Sequence, residues 1–256
     1  MSASLAGRTA LVTGVGRSRG IGFAIAKRLA EQGADLFLQA WTPYDAAQPW
    51  GADADPEALL RELRAIGRRV ERAEADFTDA RAPARLVDDA RSRLGPIDVL
   101  VVNHAHSGMG ALEDLLAEDI DRHLVVNVRA SLLLVQAFAA QHASGSSGRV
   151  ILMISGPHRS AMPGELAYVA SKGALHQSVR SLAAHLAPRG ITVNAVNPGA
   201  TDTGWASPDL HESIRAQHPA GRWGEPDDAA RLVVWLASDN ACWITGQILD
   251  STGGGP

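Results

Sequence analysis

Cysteine is nearly absent from the chain, with Cys242 the single example in 256 residues. No internal disulfide can form, which fits a reducing compartment. With no distinctive motif around it, the lone thiol reads as a small core residue rather than a nucleophile. Excess positive charge is also missing. The net charge is −4, so nothing draws the chain generally to nucleic acid or to an anionic membrane. The N-terminal "MSASLAGRTALVTG" lacks the basic-then-apolar layout of a secretory leader. No apolar run approaches the ~18 residues that cross a bilayer. The expectation is a cytoplasmic protein with neither a membrane nor a nucleic-acid partner. Linkers, low-complexity tracts and internal repeats are absent too, and "ASGSSG" at 143–148 reads as a helix-to-strand turn. One domain over 1–256 is expected, long enough to bury about three quarters of its unfolded surface.

What is present is a rhythm of strand and helix. "TALVT", "DLFLQA", "RRVERAEAD", "IDVLVVN", "RVILMIS", "ITVNAVN" and "GQILDS" read as strands, most of them apolar throughout. Helical periodicity falls between them, in "GIGFAIAKRLAEQG" with Gly33 closing it, from Asp55-Pro56-Glu57, in "APARLVDDARSRLG", through 111–142, over 165–187 and in "PDDAARLVVWLAS". Residues 41–54 read as a long polar-aromatic loop. Apolar strands alternating with helices predict a doubly wound, Rossmann-type α/β fold: about seven parallel strands covered on both faces.

The first strand runs into "TGVGRSRGIG", residues 13–22. The dinucleotide fingerprint G-x-G-x-x-G fails there, because Arg19 follows Gly14 and Gly16 at the sixth place, and Ile25 follows Gly20 and Gly22. A glycine-rich turn into a helix start can still cradle a pyrophosphate with free amides. On residues alone, the loop is a phosphate site or a plain turn. A second signal is "YVASK". Tyr168 and Lys172 are four residues apart, about 400° around a helix, and so share a face. An ammonium beside a phenol lowers the phenol pKa and makes it a general acid or base. Ser155 ends a strand thirteen residues earlier, on the same rim of the sheet, and can polarise the same carbonyl oxygen.

On these residues the chain resembles the short-chain dehydrogenase/reductases of the compact type, most of all the 3-oxoacyl-[acyl-carrier-protein] reductases. The resemblance covers nearly the whole sequence. The family loop T-G-x-x-x-G-I-G is present with two extra residues in "VGRSR". It implies that Gly14, Arg17, Ser18, Arg19, Gly20 and Ile21 hold cofactor phosphates. Asp76 and Phe77 of "DFT" would meet the adenine. "VNHAHSG" stands for the family's V-N-N-A-G, so Asn103 and Ala105 match while His104 and His106 depart, and the resemblance implies that Asn103, His104 and Ala105 lie against the cofactor. Pro198, Gly199, Thr201 and Thr203 of "NPGATDT" would close over the nicotinamide and phosphates. Asn127, Ser155, Tyr168 and Lys172 complete the implied catalytic set. Tyr168 would exchange the proton, Ser155 hold the oxygen, and Lys172 bind the ribose and depress the phenol pKa. Asn127 would steady a water leading from Lys172 to solvent.

The implied activity is hydride transfer between a nicotinamide and a small-molecule carbonyl or secondary alcohol, free or carrier-bound. The second strand ends in Ala40 and Trp41 with no acid to bond a ribose 2′-hydroxyl. Arg17 and Arg19 can grip a 2′-phosphate, Trp41 stack on the adenine and Thr42 bond the phosphate. NADP is therefore expected over NAD. His106, His158 and Trp205 are expected at the substrate cleft, and 200–221 as a mobile substrate lid. His123, His142 and His185 read as surface or boundary residues. His104-x-His106 lacks an acid or cysteine at metal-site spacing, so no metal is expected. The resemblance also implies a homotetramer or homodimer, with the 121–142 and 165–187 helices and the last strand at interfaces. The rivals are a cofactor-binding sensor or scaffold, an NAD-dependent alcohol dehydrogenase, and an epimerase or dehydratase of the extended branch. Length and glycine loop count against the last.

Overall fold

The computed structural model describes residues 4–143 and 145–255. Residues 1–3, Ser144 of the "ASGSSG" turn and Pro256 lie outside the described residues. Among the described residues, seven strands form one sheet: β1 Thr9–Val12, β2 Asp35–Ala40, β3 Val70–Glu74, β4 Val99–Val102, β5 Gly148–Met153, β6 Ile191–Asn197 and β7 Ile248–Asp250. Their order is β3-β2-β1-β4-β5-β6-β7, and every pairing is parallel. The central strands TALV and VLVV are wholly buried, as strands covered on both faces must be. After β3 the chain returns to the middle and builds outwards the other way. The crevice between β1 and β4 is therefore the topological switch point, where open α/β sheets bind ligands.

Helices α1 Ile21–Glu31, α2 Thr42–Ala47, α3 Pro56–Ala65, α4 Ala82–Leu94, α5 Ala117–His123, α6 Ala130–Gln141, α7 Leu166–Leu186, α8 Pro208–Gln217 and α9 Pro226–Ala237 connect the strands. One core lies under α1, α3 and α9, with Ile25, Leu29, Leu63 and Val233 at its centre. The other lies under α4, α6 and α7, with Leu86, Phe138 and Val179. The starts follow from local chemistry. Asp55 accepts the Ala58 N–H at 3.1 Å ahead of Pro56, and Glu225 and Asp228 close a capping box at α9.

Five sequence expectations change. The 41–54 loop contains α2, whose residues have no buried member and which is held by polar contacts instead. The 111–142 stretch opens with a short 3-10 turn and then runs continuously, but a π-helical turn over Leu124–Arg129 joins α5 to α6. By length and composition, Ala117–Gln141 is apolar enough to cross a bilayer, contrary to the sequence reading. Its apolar side chains are used inside the protein, where Leu134, Val135 and Phe138 pack into the core beside α4. The expected lid contains α8, capped by Ser207 Oγ on the Leu210 N–H at 3.3 Å. Cys242 is exposed rather than in the core.

Candidate active site

The ends of β1 and β4 are laced together before any ligand is considered. Thr13 Oγ1 accepts the N–H groups of Asn103 at 3.0 Å and His104 at 3.2 Å. Asn103 Nδ2 donates to the carbonyls of Thr13 at 3.1 Å and Gly14 at 3.0 Å. Gly14 has φ +71°, and a Cβ there would lie 2.8 Å from the His104 backbone. A side chain at Gly22 would strike the Gly14 carbonyl, so the "GIG" glycine is a packing requirement. Buried Gln39, which sequence reasoning missed, accepts the Gly14 N–H and donates to the Ala75 carbonyl, each at 2.9 Å. No side chain caps the start of α1, so its first amides stay free, and Gly20, Ile21 and Gly22 line a cleft of about 660 Å³.

Tyr168 and Lys172 line the same cleft from α7. Lys172 is buried, donates Nζ to the Met153 carbonyl at 2.9 Å, and stands 5.6 Å from the centre of the Tyr168 ring. The Ser155 hydroxyl faces the phenol and lowers its pKa, but burial prevails and pushes it up to about 12. Burial also pushes Lys172 down to about 8. The expected depression of the phenol by Lys172 is thus not a property of the chain alone.

Asn127 lies in the π-helical turn, fully buried. Its Nδ2 donates to the His106 carbonyl and to Ser171 Oγ, both at 2.9 Å, and its Oδ1 accepts the His106 N–H at 2.6 Å. Both amide hydrogens are therefore spent on protein groups. His104 is buried, with Nε2 3.0 Å from the Val126 carbonyl and Nδ1 2.9 Å from Thr13 Oγ1. Burial lowers its pKa to about 3, so it is a neutral brace. His106 lines the cleft as expected, and burial lowers its pKa to about 4. The two histidines make separate contacts. His123, read as a surface or boundary residue, is 2% exposed and 4.6 Å from the His106 ring.

With this geometry the comparisons are unambiguous. The sequence profile of the family described as "Enoyl-(Acyl carrier protein) reductase" matches residues 14–255. The uncharacterized oxidoreductase YjdA of Bacillus subtilis (strain 168) is 41% identical, over 96% of each chain. A short-chain dehydrogenase/reductase from Serratia marcescens superposes with TM-score 0.86 at 34% identity, over 98% of this chain and 99% of that one. The chain belongs to the short-chain dehydrogenase/reductase family. As a short-chain dehydrogenase/reductase it is an oxidoreductase of CH–OH and C=O groups. A Burkholderia cenocepacia short-chain dehydrogenase solved in complex with NADP superposes with TM-score 0.86 at 38% identity, over 98% of each chain.

The residues of this dehydrogenase/reductase cleft fit a nicotinamide dinucleotide. The uncapped α1 amides suit phosphates, and the left-handed Gly14 leaves the backbone bare beside them. Asp76, Phe77, Asn103, Ala105, Pro198 and Thr203 also line the cleft as expected. Phe77 lies 4.2 Å from the His104 ring, and Asp76 Oδ1 accepts the Thr78 N–H at 2.9 Å. Gly199, at φ +66°, packs on Thr252, while buried Thr201 donates to the Pro198 carbonyl at 3.1 Å and stays behind the cleft wall.

Other expected contacts are redirected. Arg17 lines the cleft, but it donates to the Thr203 carbonyl at 3.0 Å, pairs with Asp45 at 3.8 Å and lies over Trp50 at 5.1 Å. Arg19 is 68% exposed and turns to Asp202 at 3.4 Å, away from the cleft. The Ser18 N–H goes to Asp53 at 2.7 Å. Trp41 lines the cleft, but Thr42 gives its N–H and hydroxyl to Glu74, at 2.8 and 2.6 Å. His158 faces Asp250 at 3.6 Å and the His176 ring at 4.7 Å, outside the cleft. Trp205 donates to the Thr201 carbonyl at 3.2 Å and packs edge-on against Trp223, also outside. Sequence reasoning missed Tyr44, Asp45 and Trp50 of the 41–54 segment, all of which line the cleft. Tyr44 reaches across to accept the Ser107 N–H at 3.1 Å, and Asp45 sits against Gly16, where any side chain would collide with its carboxylate.

Proposed function

We propose that the protein is an NADP(H)-preferring carbonyl reductase acting on a small ketone or aldehyde, free or carrier-bound in the manner of 3-oxoacyl substrates. One observation carries the reading. The Tyr168 phenol, faced by Ser155 and backed by Lys172, opens on the same cleft as the uncapped start of α1. When bound, the dinucleotide supplies or accepts the hydride. At neutral pH a phenol pushed up to about 12 is protonated, which suits a proton donor to a carbonyl oxygen. Ser155 offers that oxygen a second donor. Lys172, anchored on the Met153 carbonyl, holds a positive charge behind the phenol as its proton leaves. Asn127 fixes the His106 backbone that lines the opposite wall.

The preference for the phosphorylated dinucleotide draws on two features. Arg17 lines the cleft, and β2 ends in Ala40 without an acid of its own. The neighbouring carboxylate, Glu74, is already spent on Thr42 and on Arg72 at 2.6 Å. The test is Tyr168→Phe against a panel of small ketones and aldehydes with NADPH, with cofactor titrated by tryptophan-to-nicotinamide energy transfer. A loss of kcat/KM of about 100-fold or more is expected. Unchanged turnover would remove Tyr168 from the reaction and sink the mechanism.

The same reading extends to a homotetramer in the cytoplasm. Leu124 and Leu132 are 39% and 36% exposed along the 117–141 helix, and Trp243, near β7, is 93% exposed. Apolar surface of that kind suits contact between copies. Sedimentation as a monomer at micromolar concentration would count against it.

A further inference from the structure

One buried histidine takes no part in the chemistry above. His123 ends α5, and its two ring nitrogens are in opposite situations. Nδ1 lies 2.7 Å from the Asp119 carbonyl oxygen. A carbonyl only accepts, so Nδ1 carries the proton of the neutral ring and Nε2 presents a lone pair. That Nε2 is buried and has no hydrogen-bond partner among the described residues. A buried acceptor without a donor is costly, and such a group calls for an explanation.

The surroundings of Nε2 supply one. His123 walls a side pocket of about 40 Å³, together with His106, Gly108, Met109 and Ala167. That is room for a water-sized group. His106 lines both this pocket and the main cleft, so the two spaces share a wall. The Tyr168 ring stands 6.4 Å from the His123 ring, within reach of one small molecule touching both. A Cβ at Gly108 would lie 3.4 Å from His123 Cε1 and 3.8 Å from Nε2, so glycine keeps the space before the lone pair open. Arg122 lines the adjoining cleft, while Asp114 and Asp119 line the pocket itself, so size rather than charge selects the donor.

The geometry points to a hydroxyl-recognition subsite, so that the substrate is a hydroxycarbonyl compound whose O–H, on a carbon next to the carbonyl, donates to His123 Nε2 while the carbonyl oxygen sits at Tyr168. This rests on the carbonyl-reductase reading and narrows its substrate class. His123 here sets specificity and exchanges no proton. Pocket size argues for a hydroxyl over anything larger, and lone-pair chemistry argues for a donor over a second carbonyl.

The experiment compares kcat/KM for hydroxyacetone and acetone with NADPH, in the wild type, His123→Phe and Gly108→Ala. The hydroxyacetone-to-acetone ratio is expected to fall roughly tenfold to a hundredfold in both variants, the effect of losing one buried hydrogen bond. Gly108→Ala makes only ordinary contacts in the fold, which covers the case in which His123→Phe is insoluble. A ratio unchanged in the soluble variants overturns the subsite. A readout independent of turnover is the ¹⁵N resonance of His123 Nε2 in the NADP⁺-loaded protein, titrated with propane-1,2-diol. The resonance is expected to move upfield as the lone pair accepts a hydrogen bond, and a stationary resonance overturns the proposal. A moving resonance in a protein that reduces no carbonyl would uphold the subsite and overturn the carbonyl-reductase reading instead.

Discussion

Asn127 grips the backbone of His106 from both sides, accepting its N–H at 2.6 Å and donating to its carbonyl at 2.9 Å. A carboxamide offers an acceptor and a donor in that geometry, and an ionised carboxylate offers only acceptors. Asn127→Asp keeps the acceptor and places a second oxygen against the His106 carbonyl. The expected cost is about 2–4 kcal/mol of stability, from a buried carboxyl group and a lost donor. Urea unfolding measures it, and an unchanged midpoint would refute the bracing role.

His104 and His106 make the fold sensitive to acid. Their folded pKa values are lowered by burial to about 3 and about 4, against a usual 6.5. Below pH 6.5 the unfolded chain takes up protons that the folded chain refuses. Stability is therefore fully present above pH 6.5 and falls as the pH drops towards those folded values, by about 1.4 kcal/mol per pH unit for each histidine. His104→Asn should flatten this decline by about half. Equal slopes for the two proteins between pH 6 and about 4 would show that His104 is not the titrating group.

The two loop arginines should separate cleanly. Arg17→Ala is expected to weaken NADPH by about tenfold or more, as a lost charge-assisted contact to phosphate would, and NADH much less. Arg19 turns out towards Asp202, so Arg19→Ala should leave both affinities within about twofold. Equal losses of NADPH and NADH in Arg17→Ala would instead assign Arg17 to holding the Thr203 carbonyl.

Much of this was legible in the sequence because it depends on local spacing. The strand and helix periods gave the doubly wound order, and the Tyr168–Lys172 interval gave one helix face. Contacts made by long-range packing were not legible. Thr42 meets Glu74 only because β2 and β3 lie side by side, and Arg19 meets Asp202 only after the chain returns from β6. The 41–54 segment misled for a different reason. Its helix buries no residue fully, so it leaves no apolar period to read. His123 looked like a surface residue for a related cause: its ring packs against His106 and near Tyr168, residues from other parts of the chain, which helical periodicity does not anticipate.

The π-helical turn over Leu124–Arg129 works as a joint between two walls. Past it, α6 is locked by Phe138 and Leu134 into the core, and before it, α5 carries His123 and Arg122 to the substrate side. Each helical residue turns the chain by about 100°, so the wider turn sets which face α5 shows to the cleft, and the same stretch supplies Asn127 and the Val126 carbonyl that brace His106 and His104. One six-residue stretch thus ties the orientation of the substrate wall to the bracing of the cofactor wall, and a change there alters both.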